Sequence, residues 1–179
     1  MAIRPILQHP DPRLRARTAA ITDFGPGLQA LIEDMFDTMY AAPGVGLAAN
    51  QIGVLQRIAV MDCSEDRENP QRLVMANPEI LSSEEPEVME EGCLSVDGYR
   101  DKVKRCRKVK LRAQDHSGKS YELEAEGLLA QAIQHEVDHL NGKLYIDYLS
   151  ALKRERLKKK LTKAEERGQK PEARKASGG

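Results

Sequence analysis

The strongest periodicity in the chain lies over residues 26–40, where Leu28, Leu31, Ile32, Met35, Phe36 and Met39 recur at helical spacing. That pattern predicts an amphipathic helix, with Asp23 or Gly25 near its start and Ala42-Pro43-Gly44 ending it. A second helix is expected over 127–140, where Leu129, Ile133, Val137 and Leu140 form a stripe and Asn141-Gly142 makes a stop. Between the two the pattern changes to period two. Residues 57–62, 101–113 and 121–125 read as strands of an antiparallel meander, the last two joined by the turn Asp115-His116-Ser117-Gly118. Residues 73–81, interrupted at Pro78, and 86–89 read as short strands or edge segments, and 63–71 as a polar turn. The X-Pro breaks at His9-Pro10 and Asp11-Pro12 make the N-terminal stretch a loop or a short helix after Pro12.

Beyond residue 140 the segment 144–148 is short and apolar, and Leu149, Leu152, Leu157, Leu161 and Ala164 mark a last helix. From Gly168 onward nothing can build a core, and fraying or disorder is expected. The division is therefore a domain of residues 1–150 and a basic helical tail of 151–179.

Charge supports that division. The formal net charge is zero, but residues 151–179 hold eleven Lys and Arg against four Asp and Glu, net +7, leaving net −7 for residues 1–150. The length suits one domain with one sizeable core. No apolar run could span a bilayer and no signal peptide opens the chain, so neither membrane nor export is expected. Cys63, Cys93 and Cys106 are odd in number and scattered, which fits a reducing, cytoplasmic setting.

The chemistry concentrates in Gln134-His135-Glu136-Val137-Asp138-His139-Leu140. Four residues of helix turn about 400° and climb about 6 Å, so His135 and His139 project from one face. Two imidazoles from consecutive turns make a rigid bidentate grip on a divalent transition metal. Glu136, about 100° round the helix, can reach water at that metal without ligating it. The plain alternative is two ordinary helix histidines, but half of the chain's four histidines sit in this one pentapeptide.

A catalytic site of this kind takes three protein ligands and one open position. Downstream of the helix there is no histidine or cysteine, only Asp147 and a few glutamates. Upstream stands Cys93, in Glu91-Gly92-Cys93-Leu94-Ser95, which could complete a Cys-His-His set or pack as a small buried residue, the commoner fate of a free cysteine. Cys63 and Cys106 are assigned to packing. The stretch Gly44-Val45-Gly46-Leu47-Ala48-Ala49-Asn50-Gln51 matches the dinucleotide fingerprint G-x-G-x-x-A, but a helix precedes it and a strand follows, the reverse of what that fingerprint needs. It reads instead as a loop whose glycines admit close backbone approach, or as a plain connector.

Taken together, the stretches 44–51, 91–95 and 134–140 resemble the three signature motifs of the peptide deformylase family, in that family's order and spacing, over about residues 1–150. The resemblance implies an α+β fold, with antiparallel sheets around the central helix and a helix at each end of the chain. It implies removal of the formyl group from N-terminal formyl-methionine of nascent bacterial or organellar polypeptides, with formate released. It implies Cys93, His135 and His139 as ligands of one divalent ion, usually Fe2+, with Zn2+, Ni2+ or Co2+ able to take its place. Glu136 would act as general base and then acid, and the Gln51 amide with the Leu94 N–H would meet the oxyanion. Arg100 matches a position associated with the substrate backbone, and a solvated strand arginine is the alternative. An apolar pocket for methionine is expected near the helix, from Val45, Gly46, Leu94, Leu129 and Ile133. A monomer is expected, with ribosomal RNA as a partner for the basic tail. Two rival readings are a zinc endopeptidase and a ribosome- or RNA-binding protein with a structural metal. The first lacks a downstream ligand, and the second leaves Glu136 without a purpose.

Overall fold

The structure is a computed structural model that describes residues 2–167. Helix α1 spans Pro26–Ala41. Five strands follow: β1 Gly46–Ala48, β2 Ile58–Asp62, β3 Arg72–Cys93, β4 Val96–Gln114 and β5 Ser120–Glu126. Helix α2 spans Gly127–Leu140 and α3 spans Ala151–Glu166. Short 3-10 turns occupy Pro12–Arg15, Ala49–Ile52 and Tyr145–Tyr148. The architecture is α+β, and the expected sheets form one antiparallel meander in the order β1-β2-β3-β4-β5.

Both faces of β2 are covered, and the pleat decides by what. Ile58 and Val60 join Leu31, Met35, Phe36 and Met39 of α1 in one core cluster, whereas Ala59 and Met61 join Ile133, Val137 and Leu140 of α2 in another. Successive side chains of a strand point to opposite faces, so the two helices flank this part of the sheet. Asn77, at φ 49°, ties the N-terminal segment to the sheet: its amide exchanges hydrogen bonds with the Ile21 backbone at 2.8 and 2.9 Å and donates to Gln114 Oε1 at 2.7 Å.

The sequence pattern divides 73–89 into two short strands, but β3 runs unbroken for 22 residues. Pro78 and two register shifts, between Ala76 and Glu79 and between Ile80 and Ser82, bend it rather than end it. Its stretch 82–88 is exposed throughout, so alternation could not reveal it; pairing with β4 holds it in place. The glycine-rich loop also contains structure not expected from its sequence, since Gly46, Leu47 and Ala48 pair with Met61, Val60 and Ala59.

Where β5 ends, the edge of β4 is finished by a helix side chain. Gln134 Oε1 accepts from Cys106 N at 2.9 Å and Gln134 Nε2 donates to Cys106 O at 2.7 Å, supplying the partners a neighbouring strand would have given. At the C-terminal end, Leu149 and Leu157 are buried with Val96, Val103 and Tyr145, and Leu161 packs partly on them. Leu152, expected on the same apolar edge, is 61% exposed. The fraying expected from Gly168 onward lies outside the described residues.

Candidate metal centre

Helix α2 delivers both histidines from beneath the sheet, and the end of β3 delivers Cys93. A register shift between Gly92 and Cys93 turns the chain at that point, and the two-residue connection Leu94-Ser95 leads into β4. The result is a group in which Cys93 Sγ and one ring nitrogen each of His135 and His139 lie within 4.8 Å of one another. His139 Nε2 is 3.2 Å from Cys93 Sγ and 3.0 Å from His135 Nε2. His139 is fully buried and His135 is 9% exposed.

The surroundings decide which atoms face the centre. His135 Nδ1 lies 2.7 Å from Glu91 Oε2, so this nitrogen donates its proton to the carboxylate and the Nε2 lone pair points at the other two donors. Glu91 is gripped in turn by Arg105, whose Nε and Nη2 donate to its two oxygens at 3.0 and 2.7 Å. Burial would raise the Glu91 carboxyl, but the bonds from His135 and Arg105 outweigh it and hold the pKa at about 2. Arg105 Nη1 also donates to Asp138 Oδ2 at 2.7 Å, and Tyr148 OH reaches the same oxygen at 2.8 Å. Two carboxylates and a guanidinium thus form a chain of charges that locks the ring of His135.

The donor set suits a divalent transition ion. A soft thiolate with two imidazoles is a set that zinc, iron, nickel and cobalt accept. Burial opposes a proton on His135, yet Cys93, Glu91 and Glu136 together raise its pKa well above the usual value. The acceptors that favour a proton on this ring would equally favour a cation bound at Nε2 in its place. Burial, helped by repulsion from His135, holds the His139 imidazole well below its usual value and so keeps it neutral, as a ligand must be.

Glu136 sits beside the group. Its Oε1 is 4.0 Å from His135 Nε2, and its Oε2 is buried with no partner among the described residues. Burial pushes its carboxyl up to about 7, with His135 pulling the other way. Gly46 makes room for it: a Cβ there would stand 2.9 Å from Glu136 Oε1 and 3.2 Å from Cδ and Cγ. Gln51 is 1% exposed and held in one orientation, its Oε1 accepting from Ala48 N at 2.9 Å. That leaves Nε2 to face Ser95 Oγ at 3.0 Å and Cys93 Sγ at 3.8 Å.

All of this opens onto a cavity of about 570 Å³. Val45, Gly46, Gln51, Cys93, Leu94, Arg100, His135 and Glu136 line it, as do Leu128, Gln131 and Ala132 of α2. Leu129 and Ile133, expected in the pocket, are instead packed in the core on the other side of α2. The cause is helix geometry: 128, 131, 132, 135 and 136 share a face, and 129 and 133 belong to the stripe that meets the sheet. Arg100 lies across Gly92, where a Cβ would be 2.8 Å from its Nη1, and donates to Glu90 Oε1 at 3.0 Å. Arg105 was not expected at the site. The signal for it is parity, since it shares the inward phase of Val103 and Val109, where a charge must find a buried partner.

A polypeptide deformylase family model matches residues 3–155. The chain belongs to that family. Among its relatives, the peptide deformylase of Hahella chejuensis is 57% identical over 159 residues, covering 88% of this chain and 94% of that protein. The Azotobacter vinelandii enzyme is 56% identical over 164 residues, covering 91% and 96%. A crystal structure of the Legionella pneumophila peptide deformylase superposes with a TM-score of 0.87 at 51% identity, over 95% of this chain and all of that one. The Ehrlichia chaffeensis enzyme in complex with actinonin gives 0.86 at 37% identity, over 92% and 99%. As a deformylase the chain is a metal-dependent hydrolase that removes the N-formyl group from nascent polypeptides.

Proposed function

We propose that Cys93, His135 and His139 hold the catalytic ion, Fe2+ in the cell, and that Glu136 moves the protons of formamide hydrolysis. The observation that carries this reading is the convergence of one sulfur and two ring nitrogens within 4.8 Å beside a buried carboxylate. When bound, a divalent ion acidifies water and polarises the formyl oxygen. Glu136, its Oε2 unpartnered among the described residues, accepts the proton of the attacking water and returns it to the departing amine. The Gln51 amide, fixed through Ala48 N, and the Leu94 N–H donate to the formyl oxygen as it gains charge. Glu91 and Arg105 keep His135 in the ligating tautomer.

The methionine side chain lies between the apolar walls at Val45 and Leu128, with Gly46 giving the peptide backbone close access and Arg100 at the rim. Fe2+ follows from the family resemblance; Zn2+, Ni2+ or Co2+ would also suit the donors. With a thiolate and ferrous iron both oxidisable, activity falls in air. The enzyme works as a cytoplasmic monomer, with residues 1–150 as the catalytic unit. No helix among the described residues is long and apolar enough to cross a membrane. Helix α3 is a docking element for ribosomal RNA: Arg156, Lys159, Lys160, Lys163 and Arg167 line a shallow cleft along it, a cationic surface matched to phosphates.

The ligand set is tested by cysteine replacement with metal analysis on protein purified without air. Cys93→Ser loses both the ion and formate release from a formyl-methionine peptide, whereas Cys63→Ser and Cys106→Ser keep both. Equal behaviour of the three variants would overturn the assignment.

A further inference from the structure

One wall of the cavity is formed by Pro43, Gly44 and Val45, a bend between α1 and β1 with no regular structure of its own. Its two ends are tied by backbone. Gly44 N donates to Met39 O at 2.8 Å, and Asp62 N donates to Val45 O at 2.8 Å. Between them the carbonyl of Gly44 is held by a side chain from the polar loop 63–71, which plays no part in the chemistry above. Arg67 Nη2 donates to it at 3.2 Å.

Arg67 is itself well anchored. Its Nη1 donates to Asp62 O at 3.2 Å and lies 3.2 Å from Asp62 Oδ2, and its guanidinium covers the Tyr40 ring at 5.1 Å. Asp62 is fully buried and accepts from Tyr40 OH at 2.6 Å, Ser64 N at 2.9 Å and Gln71 N at 3.2 Å. The guanidinium therefore joins a buried, multiply hydrogen-bonded point of the core to a part of the cavity wall that lies outside the sheet. The wall in turn bears on the site: a Cβ on Gly44 would be 2.7 Å from Leu94 Cδ1, so this backbone already lies against the residue that follows Cys93.

We infer that Arg67 is a positioning residue for substrate binding, which fixes the Gly44-Val45 wall at the spacing the first residue of the formylated peptide requires. The inference rests on the reading of Val45 as a substrate contact. A planar guanidinium can fork to the two carbonyls of Asp62 and Gly44 at once, which a lysine ammonium on a flexible stem cannot hold in the same way. Arg67 is 44% exposed while its partner Asp62 is fully buried, but that carboxylate also accepts from Tyr40, Ser64 and Gln71 and stays hydrogen-bonded when the guanidinium is removed. Gly46 is held by the β1–β2 ladder rather than by Arg67, so the approach to Glu136 is spared.

The test measures KM, kcat, metal content and thermal midpoint for Arg67→Ala, Arg67→Lys, Val45→Ala and, on the same loop, Glu65→Ala. Both Arg67 variants should raise KM for a formyl-methionine tripeptide about three- to tenfold with kcat within about twofold, the signature of lost ground-state binding. Metal content stays unchanged, and Glu65→Ala behaves as wild type. An unchanged KM in Arg67→Ala alongside a raised KM in Val45→Ala would overturn the role of Arg67 and leave the wall as a substrate contact. An unchanged KM in both would overturn the wall and Arg67 together. A wild-type KM in Arg67→Lys would show that charge alone suffices, and a parallel fall of kcat and thermal midpoint would show a merely structural part; either result overturns the inference.

Discussion

Helices α2 and α3 are similar in length, 14 and 16 residues, and both carry many polar side chains, yet they end in opposite surroundings. In α2 even the polar positions Gln134, His135, Glu136 and His139 are buried. Among the described residues of α3 the apolar Leu157 is the buried one, and the cations face solvent or the surface of β4. What separates them is the number of layers around them. Helix α2 meets β1, β2, β4 and β5, whereas α3 rests on a small cluster around Val96 and Tyr145.

A buried polar group without a partner is costly, and a buried charge costs several kcal/mol, so the polar positions of α2 have to be explained. Gln134 completes the edge of β4, His135 is locked by Glu91, and Asp138 by Arg105 and Tyr148. Among the described residues of α2, Glu136 Oε2 and His139 Nδ1 are left without a protein partner, and the carboxylate oxygen is the one the proposed proton transfers would use. On α3 only some of the cations are tied down: Lys153 pairs with Asp101 at 2.8 Å and Lys160 donates to Gly98 O at 3.2 Å. Buried charge on α2 is locked by a partner or, at Glu136, left open beside the cavity, whereas most of the charge on α3 is exposed.

The comparison can be broken at its buried end first. Glu91→Gln keeps the shape but removes the carboxylate that orients His135 and neutralises Arg105. Metal affinity or activity should fall about 10–100-fold, with a lowered thermal midpoint, because Arg105 is left as a buried charge with one partner fewer. Titration of the apoprotein with zinc checks this; wild-type affinity would mean that the charge chain does not support the ligand.

Much of the site was legible because its chemistry is local in sequence. The pair His135 and His139 needs only helix periodicity, and Cys93 stands out once no downstream ligand exists. The strong stripe of α1 fixed that helix in the same way. What stayed hidden depends on partners far along the chain. Arg105 looks like one more cation in a basic strand until β3 brings Glu91 opposite its neighbourhood, and Gln134 gains its part only because β5 stops short. Leu128 and Ala132 rather than Leu129 and Ile133 face the cavity, a choice set by which side of α2 meets the sheet. The long β3 was masked by its acidic stretch, where both faces are exposed and pairing alone keeps the strand.

At the exposed end the expected effect on catalysis is close to nothing. Replacing Lys158, Lys159 and Lys163 by glutamine, while sparing the tethered Lys153 and Lys160, should leave turnover of a free formylated dipeptide unchanged. Ribosome co-sedimentation of the wild type should weaken steeply with salt, as counterion release requires, and the variant should lose it. Retained sedimentation would make α3 a solvated helix with no such partner. A loss of dipeptide turnover would instead tie it to the catalytic unit.

In the proposed mechanism Glu136 moves the protons while Cys93, His135 and His139 hold the ion. Glu136→Gln separates the two, since it keeps the volume and the ligands and removes only the base. Metal content and single-turnover formate release should be measured on the same anaerobic preparation. Full metal occupancy is expected, with release slowed by at least ~10². Near wild-type release from metal-loaded protein would contradict it.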